Sequence, residues 1–186
     1  MTDSLLYFNE KLNQYFNSHP VFLFSKGRVG LYAVLKSLGI QPGDEIILPG
    51  YTCLVVPSAF LVLGAKPIYI DIDPSTYNIA IDLIESRITP KTKVIIIQHT
   101  YGIPCEFHEI QQLAKKYGLT IIEDCCHAFG SEIHNHRCGR LGDAAFLSGQ
   151  WNKPFSTGLG GMLVVNHTEL AKRVQSLVDK ELIPPS

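Results

Sequence analysis

The feature that most limits how this chain can fold is an uninterrupted β-branched run, Val94-Ile95-Ile96-Ile97, inside a predicted strand at 93–98. A strand with one face in water alternates apolar and polar residues, whereas a strand covered on both faces does not. Strands of the second kind belong to parallel sheets whose connecting helices lie on both faces. The run therefore predicts an α/β fold with a mostly parallel sheet sandwiched by helices.

The rest of the chain alternates between strand-like and helix-like segments, as such a fold requires. Strands are predicted at 45–48, 67–71, 93–98, 119–123, near 131–134, at 144–147 and at 162–165, and a short apolar piece lies at 21–24. Helices are predicted at 4–16, 29–38, 53–63, 79–88, 106–117 and 169–179. We divide the chain into an N-terminal helical segment, 1–20, and one large domain, 21–186.

Composition narrows the class of function. The 186 residues carry 16 Lys and Arg against 17 Asp and Glu, and 46% are apolar, which supports a packed core. This charge balance argues against nucleic acid or an anionic membrane as the main partner. The N-terminus has no signal-peptide pattern, the longest apolar run is about half a membrane span, and the five cysteines are an odd number. We therefore expect a cytoplasmic protein with free thiols.

Ligands of parallel α/β sheets bind beyond the carboxyl ends of the strands. Two of these strand ends carry unusual residues. Asp124 places a carboxylate at the end of an apolar strand, and Lys153 lies on a loop punctuated by glycine and proline. A lysine in a pocket loses its proton readily and forms a Schiff base, while an aspartate keeps a pyridine nitrogen protonated. Together they indicate a site for pyridoxal phosphate (PLP).

Each of these residues also has an ordinary interpretation when taken alone. A single aspartate at a strand end is often a helix cap, and a single loop lysine is usually solvated. The combination with the surrounding pattern favours the PLP site.

The chain resembles the DegT-type PLP-dependent aminotransferases, many of which aminate keto-sugar nucleotides. The resemblance covers about residues 20–175 and consists of many colinear pieces. The matching segments are 27–31, 43–49, 64–67 with 71–74, 88–93, 99–104, 122–124 with 127–130, 139–143, and 148–153 with 160–161.

This resemblance implies a role for each of six residues. Lys153 matches the lysine that holds the cofactor as an internal aldimine, and Asp124 matches the partner of the pyridine nitrogen. Ser148 matches a serine that binds the cofactor phosphate, and Gly27 and Arg28 match the loop whose amides bind the same phosphate at a helix start.

His127 occupies a position near the phenolic oxygen of the cofactor, where the family commonly has Gln or His. Its alternative interpretation is a hydrogen-bonded histidine at a helix start. Cys53 replaces the aromatic residue that often stacks on the cofactor ring, and Tyr51 is the nearest aromatic residue in sequence. A subgroup of the family shares the Tyr51-Thr52-Cys53 pattern.

The resemblance further implies a fold like the large domain of aspartate aminotransferase (fold type I), without the C-terminal small domain. It implies transfer of an amino group from an amino acid, expected to be glutamate, to a keto-sugar nucleotide. A homodimer, or a partner that supplies the small domain, is expected, and apolar surface would otherwise be exposed. The alternative is a remnant or interaction subunit that keeps the fold without turnover.

Two other motifs allow rival interpretations. A thiol and imidazole cluster lacks the spacing of structural zinc sites, so no metal is expected; its members are Cys125, Cys126, His127, His134, His136 and Cys138. The glycine-rich piece at 158–161 precedes a predicted strand instead of following one, so it does not fit a dinucleotide-binding loop.

Overall fold

The computed structural model describes residues 3–181, in which strands and helices alternate. The strands are β1 (Val21–Phe24), β2 (Glu45–Pro49), β3 (Lys66–Ile70), β4 (Thr92–Gln98), β5 (Thr120–Asp124), β6 (Glu132–Ile133), β7 (His136–Arg137), β8 (Ala144–Ser148) and β9 (Gly161–Val165). The α-helices are α1 (Asp3–Tyr15), α2 (Gly27–Ser37), α3 (Val55–Leu61), α4 (His108–Tyr117) and α5 (Thr168–Glu181). Residues 182–186, which the predicted large domain includes, lie outside the described part.

Seven strands form one sheet in the order β1-β9-β8-β5-β4-β2-β3. The pairs from β3 to β8 are parallel, whereas β9 pairs antiparallel with both β8 and β1. The two short strands β6 and β7 form a separate hairpin. The predicted α/β fold with a mostly parallel sheet is therefore confirmed.

Strand β4 is covered on both faces, as its run of apolar residues predicted. Val94 and Ile96 belong to the core cluster that contains residues of α2, α3 and α5. Ile95 and Ile97 belong to the cluster on the opposite face, with residues of α4. A third cluster receives Leu12 of α1 together with residues of β8 and β9. No helix within residues 3–181 is long and apolar enough to cross a membrane.

The predicted helix at 79–88 is wrong. The segment forms two 3-10 helices, Ile81–Leu83 and Glu85–Arg87. Its first residue, Ile79, pairs instead with Ile72 in an isolated β-bridge. The next amide, that of Ala80, donates to the Asp71 carbonyl at 2.9 Å, so the segment begins extended and little length remains for an α-helix.

The start of α2 lies against the beginning of β9. A Cβ atom on Gly161 would lie 2.1 Å from the carbonyl carbon of Lys26, and one on Gly27 would lie 2.6 Å from the Leu147 carbonyl oxygen. Only glycine permits this approach at both positions. The contact brings the N-terminus of α2 to the carboxyl end of β8, where Ser148 lies.

Candidate active site

Five of the six predicted site residues line one cleft at the carboxyl ends of the parallel strands: Gly27, Arg28, Asp124, Ser148 and Lys153. They come from the start of α2, the ends of β5 and β8, and the loop after β8. The sixth residue, His127, reaches the site through a contact with Lys153. A roomier depression at the amino end of β5 holds none of the six.

Lys153 and His127 are in direct contact. The distance between Lys153 Nζ and His127 Nε2 is 3.0 Å. An ammonium group has donors only, so Nε2 accepts and the ring proton lies on Nδ1. Burial and the positive charge of Lys153 lower the pKa of His127, which favours the same neutral ring. The histidine therefore orients the lysine amine.

Asp124 is buried at the end of β5, with 6% of its surface exposed. Its Oδ1 accepts the Cys126 amide at 3.0 Å. Burial raises the pKa of Asp124, whereas the hydrogen bonds from Cys126 and the positive charge of Lys153 oppose that effect. An ionised Asp124 thus calls for a cationic group beside it.

The start of α2 presents the features of an anion site. Its N-cap, Lys26, is extended (φ −152°, ψ 148°) and makes no side-chain capping bond. The first amides of a helix have no partner within the helix, and they carry partial positive charge. Lys26 and Arg28 add full charges at the cleft lining, where Ser148 adds a hydroxyl group. Lys26 carried no predicted role.

Tyr51, the aromatic residue nearest to Cys53 in sequence, lies outside the cleft lining. Cys53 lines the cleft itself, whereas Tyr51 is not among the lining residues. The Tyr51 hydroxyl lies 2.5 Å from that of Tyr101, and this hydrogen bond raises the pKa of Tyr51. Tyr101 stacks on His127, with ring centroids 5.9 Å apart and planes within 3°. Tyr101 lies in the family-matching segment 99–104 but carried no predicted role.

A buried carboxylate, Glu123, supports the end of β5 directly beside Asp124. His99 Nδ1 accepts the Cys105 amide at 3.0 Å, so its Nε2–H donates to Glu123 at 3.0 Å. The other N–H donors to this carboxylate are the backbone amides of Gly139, Leu141 and Gly142, at 2.7, 2.8 and 2.9 Å. The carboxylate thus ties the segment after β7 to β5.

Two residues of this hydrogen-bonded cluster, His99 and Glu123, are also of types that bind metal ions. Within residues 3–181, the group of possible ligands close enough to share an ion is His99, Glu123 and Cys125. Both His99 nitrogens and both Glu123 oxygens already take part in the hydrogen bonds above, and burial raises the pKa of the Cys125 thiol. The nitrogens of His99 and the oxygens of Glu123 are therefore already engaged in hydrogen bonds that hold the end of β5.

The lowered pKa of His127 predicts a pH dependence of stability. Folded His127 binds a proton less readily than its unfolded form, whose pKa is 6.5. The neutral ring therefore contributes stability that is fully present above pH 6.5 and is lost as the pH falls below it. Acidification from about pH 7.5 to about pH 5.5 should destabilise the parent more than His127→Gln in urea unfolding.

The control for this prediction is His136→Gln in the exposed β6–β7 hairpin. This variant should keep the parent's pH dependence. An identical loss of stability on acidification in the parent and in His127→Gln would contradict the assignment.

Comparison with known proteins gives the site a context. Residues 2–181 match the model of the DegT/DnrJ/EryC1/StrS aminotransferase family. The chain is 42% identical over 149 residues to GDP-perosamine synthase of Escherichia coli O157:H7, covering 80% of this chain and 41% of the relative. It is 40% identical over 154 residues to UDP-2-acetamido-2-deoxy-3-oxo-D-glucuronate aminotransferase of Pseudomonas aeruginosa, covering 82% of this chain and 43% of the relative.

Solved structures agree with these sequence matches. The structure of NtdA from Bacillus subtilis with bound cofactor PMP superposes with a TM-score of 0.89 at 34% identity, over 96% of this chain and 40% of that one. The chain thus spans less than half the length of these relatives. Since the family model covers nearly all of the sequence, this chain belongs to the DegT/DnrJ/EryC1/StrS aminotransferase family.

Proposed function

We propose that this chain carries the PLP-binding site of a sugar aminotransferase, which moves an amino group from an amino acid, expected to be glutamate, to a keto-sugar nucleotide. The observation that supports it most is the convergence of Lys153, Asp124 and the start of α2 on one cleft. A lysine, a buried carboxylate and an anion site are the three groups that PLP requires.

The residues present fit this cofactor by their chemistry. The first amides of α2 at Gly27 and Arg28, the Arg28 guanidinium and the Ser148 hydroxyl would hold the phosphate. Asp124 would face the pyridine nitrogen, whose proton provides the cationic partner that a buried carboxylate needs. Lys153 would hold the aldehyde carbon. When bound, PLP supplies an electron-poor ring that stabilises the charge left after proton removal from the amino acid.

The chain's own residues would carry out proton transfer and hold the reacting groups in position. Lys153 Nζ, once free, would take the proton from the amino-acid carbon and hold it for return to the reacting molecule. His127 Nε2, 3.0 Å from Nζ, holds the amine in position for both transfers. Asp124 would stay ionised when the protonated pyridine nitrogen lies beside it, because a buried carboxylate needs a cationic neighbour.

The substrate class is supported by the relatives. Two of them are named for amino-sugar products or keto-sugar substrates attached to GDP or UDP. We propose the same class for this chain, with a nucleotide-linked keto-sugar as the amino acceptor.

We also propose that a second copy of this chain, or another protein chain, completes the site. Large apolar side chains near the cleft support this proposal. Leu54, which precedes α3, is 81% exposed, and Trp151, on the loop that carries Lys153, is 83% exposed. Exposed apolar side chains of this size are typical of interaction surfaces.

The test is a half-reaction that uses the amino donor and needs no sugar. PLP is added to the purified protein, and its absorbance band is followed as L-glutamate is added, with D-glutamate as the matched control. We expect L-glutamate alone to remove the band and to release one equivalent of 2-oxoglutarate per bound cofactor. A chain that binds PLP without transfer would be the inactive remnant, and a chain that binds no PLP would overturn the whole proposal.

A further inference from the structure

Three tyrosines form an exposed face beside the cleft, which we call the tyrosine face: Tyr51, Tyr77 and Tyr101. Their exposed fractions are 46%, 44% and 62%. The ring centroids of each pair lie 5.8 to 6.4 Å apart, so the three rings form one continuous surface. None of the three has a role in the cofactor chemistry described above.

Buried polar side chains hold this face in place. Gln98 donates to the Tyr51 carbonyl at 3.2 Å and to the Thr100 hydroxyl oxygen at 2.9 Å. Thr100 in turn donates to the Tyr77 carbonyl at 3.0 Å. Gln98 and Thr100 are 8% and 1% exposed. A buried hydrogen-bond network of this kind rigidifies the groups attached to it.

Two of the tyrosines also have unfavourable backbone conformations. Tyr77 and Tyr101 have φ of +59° and +53°, a left-handed region that is uncommon for bulky residues. Asn78 stabilises both segments, since its Oδ1 accepts the Thr100 amide at 2.9 Å and its Nδ2 donates to the Ile103 carbonyl at 3.0 Å. Strain held by a buried network, with the side chains left in solvent, is typical of binding sites.

The tyrosine face is continuous with the reacting groups. Tyr101 is stacked on His127, and His127 contacts the Lys153 amine. The carbonyl carbon of an amino acceptor must approach Lys153, so the rest of that molecule lies over the surface next to it. The phenol rings offer apolar faces, and the paired hydroxyls of Tyr51 and Tyr101 offer hydrogen bonds at one edge.

We propose that the tyrosine face binds the pyranose ring of the sugar substrate, an inference that rests on the proposed function. A pyranose has an apolar C–H face that packs on aromatic rings and hydroxyl groups that pair with phenols. A second copy of the chain is the alternative occupant of this face. A packed protein interface requires neither the paired hydroxyls of Tyr51 and Tyr101 nor the left-handed backbone of Tyr77 and Tyr101, so we favour the sugar.

The experiment is saturation-transfer NMR on the PLP-loaded chain with UDP-N-acetylglucosamine and GDP-mannose, and with UDP and GDP for comparison. We expect saturation of the pyranose protons of at least one nucleotide sugar. Tyr101→Ala should weaken binding of that nucleotide sugar about tenfold, and Tyr51→Phe, which keeps the ring, about threefold. Tyr7→Ala on the exposed face of α1 is the matched control and should bind as the parent does.

The outcomes separate this proposal from the one on which it rests. Binding of PLP together with unchanged sugar affinity in both variants would overturn the tyrosine face while leaving the cofactor site intact. Saturation confined to the base protons, or no sugar binding at all, would overturn it equally. Dissociation of a dimer by either variant, measured by sedimentation, would assign the face to a second copy. A parent protein that does not bind PLP would instead contradict the proposed function.

Discussion

Replacing Lys153 by alanine is expected to abolish the borohydride-stable attachment of PLP and to lower the rate of the glutamate half-reaction by about a thousandfold or more. Two lysines line the cleft: Lys26 lies at the anion site, whereas Lys153 contacts His127. Lys153 is therefore the amine proposed to bond the aldehyde carbon and to carry the proton. Mass spectrometry of peptides after borohydride reduction locates the attachment, and release of 2-oxoglutarate gives the rate.

The matched control is Lys115→Ala on the exposed side of α4. Its removal changes the same charge far from the cleft, so it should leave PLP attachment and the half-reaction unchanged. A Lys153→Ala protein that kept the absorbance band and the same reduced adduct would show that another residue holds the cofactor.

Replacing Glu123 by glutamine is expected to lower the free energy of unfolding by about 3 kcal/mol. The carboxylate is fully buried and accepts four N–H groups, two on each oxygen. An amide of the same shape has one oxygen, and its NH₂ must point at two of these donors. Urea unfolding of the parent and the variant measures the change.

Glu10→Gln on α1 removes a carboxylate from an exposed position and should change stability by less than about 0.5 kcal/mol. If Glu123→Gln unfolded at the same urea concentration as the parent, the carboxylate would not hold the segment after β7 to β5. Weakened PLP binding in Glu123→Gln would follow from displacement of Asp124, the next residue.

The strands were predictable because their signal is local. The buried faces of β4 appear directly as an unbroken apolar run, and β5 shows the same pattern up to its terminal acidic pair. The segment at 79–88 was not predictable in the same way. Its apolar spacing fits a helix, but pairing of Ile79 with Ile72 is a contact across a turn and outweighs the local preference.

The residues of the site also differ in how far the sequence could identify them. Lys153 and Asp124 were recognisable because a charged residue at an apolar strand end, or on a glycine-rich loop, is unusual in sequence. Tyr101 and Glu123 were not given roles, since an exposed tyrosine and one acidic residue beside another are common. Their roles depend on a stacking contact with His127 and on amides of a distant loop.

The sequence alone determined the mostly parallel sheet and singled out the residues that we propose bind PLP, because periodicity and residue type are properties of short segments. The tertiary structure decided which of these residues meet. It brought α2 against β9 through two glycines, paired Lys153 with His127, and assembled three tyrosines on buried polar side chains. These contacts join residues far apart in the chain, and their distances depend on how the helices pack on the sheet.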